Sequence, residues 1–209
     1  MPVDGYFASD TARFDALPLA IRERISRVKL CVLDVDGVLT DGGLYYGPDG
    51  GVTKRFNVQD GLGITIARKS GFLRFAVITG MDKPAVAARL ADLGLEEDYF
   101  PGFLDKRESF ETIRIKHGLA REEVAFIGDD WIDIPVLKLA GVPLTVANAQ
   151  PEVKAACLYV TEAGGGNGAV REAIRLILHC KGQLAQVFDA RMKRYSRWKK
   201  FSAPWASLS

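Results

Sequence analysis

The sequence predicts an α/β fold built on a doubly wound parallel sheet, with one projecting β-hairpin. Three observations carry that expectation. Short apolar runs alternate with amphipathic helical stretches along most of the chain, the pattern of parallel strands joined by crossover helices. The runs at 28–33, 73–79 and 123–127 are almost continuously apolar, as strands buried on both faces are. Each runs into turn residues, respectively Asp34-Val35-Asp36-Gly37, Thr79-Gly80 and Gly128-Asp129-Asp130. In an open α/β sheet, ligands bind at these carboxyl ends.

Taken in order, residues 1–17 read as a loosely structured lead-in, and 18–27 as a short helix opening near Pro18. After the 28–33 strand, β-type runs at 44–46 and 52–56 flank Gly47-Pro48-Asp49-Gly50-Gly51, which predicts the hairpin. Residues 62–69 follow as a helix ended by Ser70-Gly71, then the 73–79 strand and a helix over 82–93 closed by Gly94. A short strand at 98–100 leads to a helix over 105–117 that Gly118 stops. The 123–127 strand, a helix over 131–140, a strand at 142–146, a short helix over 151–157 and a last strand at 158–160 continue the alternation. Gly164-Gly165-Gly166-Asn167-Gly168 reads as a flexible loop before a helix over Ala169–Cys180. The whole is Rossmann-like, yet no G-x-G-x-x-G follows a strand, so a dinucleotide is not the expected ligand.

Composition narrows the class. At 209 residues, with 48% hydrophobic and 26% charged side chains, the chain reads as one globular unit and a tail. No apolar run is long enough to span a membrane and no secretory signal is visible, so a cytoplasmic location is expected. Cys31, Cys157 and Cys180 are odd in number and widely spaced, and read as reduced thiols. The segment 183–209 carries six Lys/Arg against one Asp, which leaves residues 1–182 with a net charge of −3. The expected division is therefore a domain over 1–182 and a basic tail over 183–209. Nucleic acid is not the expected partner of the domain.

The polar groups at strand ends carry the functional argument. Asp34-Val35-Asp36-Gly37 alone is compatible with an Asx turn, and a calcium loop is set aside because Val38 stands where a third ligand belongs. Thr79 alone could cap a helix and Lys106 alone could be a solvated lysine. Together, Asp34, Asp36, Thr79, Lys106, Asp129, Asp130 and Asp133 place several carboxylates, a hydroxyl and an ammonium on one rim of the sheet. Such a cluster needs a hard divalent cation, for which magnesium is suited, while Thr79 and Lys106 supply donors to phosphoryl oxygens. A carboxylate beside the cation can attack phosphorus.

These motifs, with Thr40-Asp41-Gly42, resemble the four motifs of the haloacid dehalogenase superfamily of phosphatases. Phe56-Asn57-Val58, Asp60-Gly61, Arg89, 124–130 and 168–172 further resemble the family of 3-deoxy-D-manno-octulosonate 8-phosphate (KDO 8-phosphate) phosphatases, across roughly residues 26–182. The resemblance implies a magnesium-dependent phosphatase working through an aspartyl-phosphate in lipopolysaccharide precursor synthesis. It implies Asp34 as nucleophile and Asp36 as general acid and then base. Magnesium would be held by Asp34, the main-chain carbonyl of Asp36, and Asp129, with Asp130 and Asp133 orienting Asp129 or Lys106. Thr79 and Lys106 would bind the phosphoryl group. The substrate would be lined by Asp36, Asn57, Val58, Gln59, Asp60, Gly61, Gly80, Met81, Arg89 and Lys106.

The spacing from Asp34 to Thr79, and from Thr79 to Lys106, leaves no room for the cap domain that many superfamily members carry. An uncovered phosphoryl-aspartate site is leaky, so neighbouring subunits are expected to cover it, with hairpins packed in a homotetramer as the resemblance implies. The chain departs from the family pattern at Gln59, Thr65, Met81 and Asn167, where arginines are expected around a sugar-acid carboxylate. That leaves a nonulosonate 9-phosphate or another phosphorylated sugar as an alternative substrate. A phosphotransferase would share every catalytic residue, and a non-catalytic interaction protein is the more distant reading. The basic run Arg191, Lys193, Arg194, Arg197, Lys199 and Lys200, interleaved with Met192, Tyr195, Trp198 and Phe201, reads first as a solvated end. Folding over a neighbour's site, or a membrane or nucleic-acid patch, are its other readings.

Overall fold

A computed structural model of the chain describes residues 8–196, with side chains described through Lys193. Six parallel strands form the central sheet: β1 (Leu30–Leu33), β4 (Arg74–Thr79), β5 (Tyr99–Pro101), β6 (Val124–Gly128), β7 (Val142–Thr145) and β8 (Tyr159–Val160). Their order is β5-β4-β1-β6-β7-β8. The antiparallel pair β2 (Tyr45–Tyr46) and β3 (Val52–Thr53) is the projecting hairpin, with Tyr46 opposite Val52. Every residue of β1, β6 and β7 is buried, which is why their sequences read as unbroken apolar runs.

Chain order reverses at β1, which pairs with β4 on one side and β6 on the other. A crevice therefore opens at the carboxyl end of β1, where the two halves of the sheet diverge. The helices fall into two packed groups. α1 (Ala8–Asp15), α2 (Leu19–Ser26), α3 (Val58–Lys69) and α9 (Leu184–Ser196) pack on α8 (Ala169–Cys180), and α4 (Pro84–Leu93) joins them through α3. α5 (Arg107–Lys116) packs with α6 (Ile134–Leu137), while α7 (Pro151–Ala155) sits near the turn that precedes α6. The stripe Val170, Ala173, Ile174 and Ile177 is buried, the spacing of one helix face.

Four elements differ from the sequence expectation. Residues 8–15 are a helix because Phe14 is fully buried against the rings of Tyr159 and His179, and Arg13 pairs with Glu162 and Glu172. α3 starts at Val58, since the Asn57 side chain accepts the Gln59 N–H at 2.7 Å and caps it. The expected helix over 131–140 is a single 3₁₀ turn, Trp131–Asp133, followed by α6. The chain after 183 enters α9, whose Val187 is buried in the core, so its first turns are packed rather than solvated. Arg194 and Tyr195 side chains, and Arg197, Trp198, Lys199, Lys200 and Phe201, lie outside the described residues, as do 1–7 of the lead-in. Among the described residues no helix is long and apolar enough to cross a membrane.

Candidate active site

After β1 the chain winds tightly through Val35–Leu39. Asp36 stays extended while Gly37 takes φ +82°. That conformation, and the space, exclude a side chain: a Cβ at 37 would lie 2.0 Å from Asp129 Oδ2. Thr40 closes the turn, its N–H and hydroxyl both donating to the Val35 carbonyl at 3.0 and 3.2 Å. The turn thus carries Asp34 and Asp36 at its start and brings its own backbone against the end of β6.

Three carboxylates converge here. Oxygens of Asp34, Asp129 and Asp133 all lie within 4.8 Å of one another. Lys106, one residue ahead of α5, places its buried ammonium 2.6 Å from Asp34 Oδ1 and 2.6 Å from Asp133 Oδ1. The other oxygen of Asp133 accepts the N–H groups of Asp129 and Asp130, at 3.0 and 3.3 Å. Asp133 therefore links Lys106 to the turn that carries Asp129 and has both oxygens engaged. Thr79, the buried last residue of β4, stands on the neighbouring strand end, with its hydroxyl accepting the Met81 N–H at 3.4 Å.

The charges do not balance. Burial pushes the Asp34 carboxyl up to about 7, against the pull of Lys106. Burial, then the charges of Asp34 and Asp133, push Asp129 up to about 8. Burial pulls the Lys106 ammonium down, but Asp34 and Asp133 more than offset it and leave it above its ordinary value. One ammonium cannot satisfy three clustered acids. Among the described residues no hydrogen-bond donor reaches the Asp129 carboxylate. Asp34 and Asp129, hard oxygen donors in a site short of positive charge, fit magnesium.

The remaining expected residues separate. Asp36 turns its carboxylate to Lys54, with which it makes an ion pair. Asp130 does not reach Asp129 or Lys106 with its side chain; it caps the turn at Trp131, accepting that N–H at 2.6 Å. Asp60 is buried and accepts the N–H groups of Gly168 and Arg171, at 3.2 and 2.7 Å, so its carboxylate caps α8 rather than lining an open pocket. Asn57 caps α3 and donates to the Gly166 carbonyl at 3.2 Å. Arg89 passes over Gly61, where a Cβ would lie 2.0 Å from its guanidinium, and donates to the Asn57 carbonyl at 3.3 Å. The Thr65 hydroxyl is turned back onto the Gly61 carbonyl. Val58, Gln59 and Met81 are exposed and Gly80 lies against Leu104.

The sequence predicted the return strand of the hairpin but not what its side chains reach. Lys54 reaches Asp36, Arg55 donates to Asp41 and Asn167 at 3.0–3.1 Å, and Phe56 forms an antiparallel bridge with Thr40. Sequence reasoning missed Asn148, whose amide donates to the Gly37 carbonyl at 3.0 Å and accepts the Gly165 N–H at 2.6 Å.

Comparisons with known proteins show the family. The family of haloacid dehalogenase-like hydrolases matches residues 98–174. A 3-deoxy-D-manno-octulosonate 8-phosphate phosphatase of Haemophilus influenzae is 38% identical over 81% of this chain and 92% of its own length. That of Escherichia coli (strain K12) is 42% identical over 77% of this chain and 85% of its own. The chain belongs to the KDO 8-phosphate phosphatase family. A family member from Moraxella catarrhalis, solved with magnesium, phosphate and a KDO molecule, is 36% identical and superposes with a TM-score of 0.78, covering 83% of this chain and 98% of that one. In this chain the Arg55 guanidinium lies on Asn167 Oδ1, bringing a cation to the glycine loop from the hairpin.

Proposed function

We propose that this protein is a magnesium-dependent phosphomonoester hydrolase that releases phosphate from 3-deoxy-D-manno-octulosonate 8-phosphate, a step of lipopolysaccharide precursor synthesis. The observation that carries the reading is the cluster of Asp34, Asp129, Asp133 and Lys106 at the crevice beside β1. The family's named activity and the magnesium, phosphate and KDO of the Moraxella protein support the substrate.

In this reading a carboxylate oxygen of Asp34 attacks phosphorus while the bond to the sugar oxygen breaks. Asp36 gives its proton to the departing alkoxide. It then takes one from the water whose oxygen attacks the phosphorylated Asp34, so the phosphorus–aspartate bond breaks and free phosphate leaves. Lys106 and Thr79 hold the phosphoryl oxygens, and Asp133 holds Lys106 and the Asp129 turn in place. Asp34 and Asp129, with the Asp36 main-chain carbonyl, would hold magnesium, which supplies charge neutralisation between nucleophile and phosphoryl group. Asn57, Val58, Gln59, Gly61, Gly80, Met81 and Arg89 border the sugar. Asp60 belongs behind them, as the residue that sets α8 and its loop.

The phosphatase unit spans 1–182 and 183–209 is an extension that begins with α9. Among the described residues no cap covers the crevice, and the rim carries exposed Leu44, Tyr45, Tyr46, Val58, Phe103, Leu104 and Trp131. Apolar side chains around an open site mark an interface, which supports a homotetramer whose hairpins pack together and whose sites are completed across subunits. Three free cysteines, two of them with thiols pushed up to about 12 and about 11 by burial, support a cytoplasmic location.

A panel of KDO 8-phosphate, a nonulosonate 9-phosphate and neutral sugar phosphates, assayed with magnesium, tests the substrate. The highest kcat/KM falls on KDO 8-phosphate; a flat response across the panel overturns that choice. Light scattering tests the assembly, for which a fully active monomer is the contrary result.

A further inference from the structure

Lys54 follows β3 on the hairpin's return strand, and its side chain is only 1% exposed. An ammonium stripped of water is costly unless a carboxylate meets it. The group that meets it is Asp36, eighteen residues earlier, through a hydrogen bond from Nζ to Oδ1. Among the described residues no other hydrogen bond or ion pair reaches Lys54 Nζ or the Asp36 carboxylate, which is 31% exposed. The next two residues fasten the same strand to the catalytic turn, Arg55 through Asp41 and Phe56 through Thr40. Lys54 is the member of this stitch that ends on a group with protons to move.

We propose that Lys54 is a positioning residue that holds the Asp36 carboxylate in the orientation from which it exchanges protons with the departing and attacking oxygens. The proposal rests on the proton-handling role given to Asp36 above. With Oδ1 held by Lys54, the second oxygen is the one available for proton transfer, and the carboxylate cannot rotate away from the site. Because Lys54 rides on the hairpin, the seating of the hairpin is transmitted directly to Asp36.

The test compares two esters through kcat/KM, which reports transfer of the phosphoryl group to Asp34. KDO 8-phosphate has an alkoxide leaving group that needs a proton; p-nitrophenyl phosphate has a phenolate that leaves without one. Lys54→Met is expected to lower kcat/KM for the sugar phosphate on the order of 10–100-fold and to leave the aryl phosphate little changed. The inhibition constant of free KDO stays where it was, and Lys54→Arg recovers part of the loss. In an Asp36→Asn background, Lys54→Met adds nothing further on the sugar phosphate. Equal losses on both esters, no loss on either, a weakened grip on KDO that accounts for the loss, or additive effects with Asp36→Asn each overturn the assignment. A wild-type enzyme that cleaves neither ester with magnesium overturns the phosphatase reading, and the role of Lys54 falls with it.

Discussion

Lys106 Nζ stands 2.6 Å from Asp34 Oδ1 and the same distance from Asp133 Oδ1, so one buried ammonium ties the end of β1 to the turn after β6. Removing it leaves two buried carboxylates facing each other. Losing one partner of a buried ion pair costs about 3–5 kcal/mol, because the other charge stays desolvated. Lys106→Met is therefore expected to lower the unfolding midpoint and to cut turnover by at least roughly 10²-fold. Calorimetry and steady-state kinetics check both; a variant with wild-type stability and turnover contradicts the placement.

The raised carboxyls set a pH dependence with a definite sign. Asp34, at about 7, and Asp129, at about 8, hold protons more tightly in the folded protein than at their ordinary value of 3.8. Between those limits the folded state binds more protons, so these two groups make the metal-free protein less stable as pH rises. Magnesium needs both groups ionised. Its affinity is therefore expected to increase from about pH 6 to about pH 8.5, with protons released on binding. Titration calorimetry in buffers of different ionisation enthalpy measures that release, and binding at pH 7 without it counts against the ligand set.

Gly165 tests the packing behind the catalytic turn. A Cβ at this position would lie 1.7 Å from the Gly37 carbonyl oxygen. Neither backbone can yield without moving the turn that carries Asp36. Gly165→Ala is expected to lose nearly all activity together with on the order of 2–3 kcal/mol of stability. Denaturant unfolding and turnover read the two effects, and a fully active, stable variant shows that the loop does not press on the turn.

Asp60 separates a structural from a substrate role. Its carboxylate accepts two N–H groups at the start of α8. Asp60→Ala is expected to cost about 1–2 kcal/mol, as loss of a helix cap does, with KM changing less than stability. A large rise in KM at unchanged stability assigns Asp60 to the substrate instead.

What was legible in the sequence follows from where the deciding interactions lie. β1 and β6 were readable because burial on both faces forces unbroken apolar runs, and Asp34 and Asp129 because acids at the ends of such runs need a partner. α8 was readable as the helix that follows the glycine loop ending at Gly168. Lys54 was not, since Thr53 and Arg55 beside it make an ordinary exposed hairpin edge, and only the contact with Asp36 buries it. The Asn57 cap of α3 is local, two residues from Gln59, and was readable as a helix start, whereas Asp60 looked like a pocket residue because its partners lie at α8, 108 residues away for the Gly168 bond. α1 depends on Phe14 meeting Tyr159 and His179, contacts that exist only after the chain has closed on itself.

In the proposed mechanism Asp34 carries the phosphoryl group during turnover. Borohydride quenching of the enzyme turning over KDO 8-phosphate with magnesium converts an acyl phosphate to an alcohol, which peptide mass spectrometry locates. Reduction is expected at position 34, with no reduction when magnesium is chelated and no turnover by Asp34→Asn. Reduction elsewhere, or an Asp34→Asn enzyme that still turns over, contradicts it.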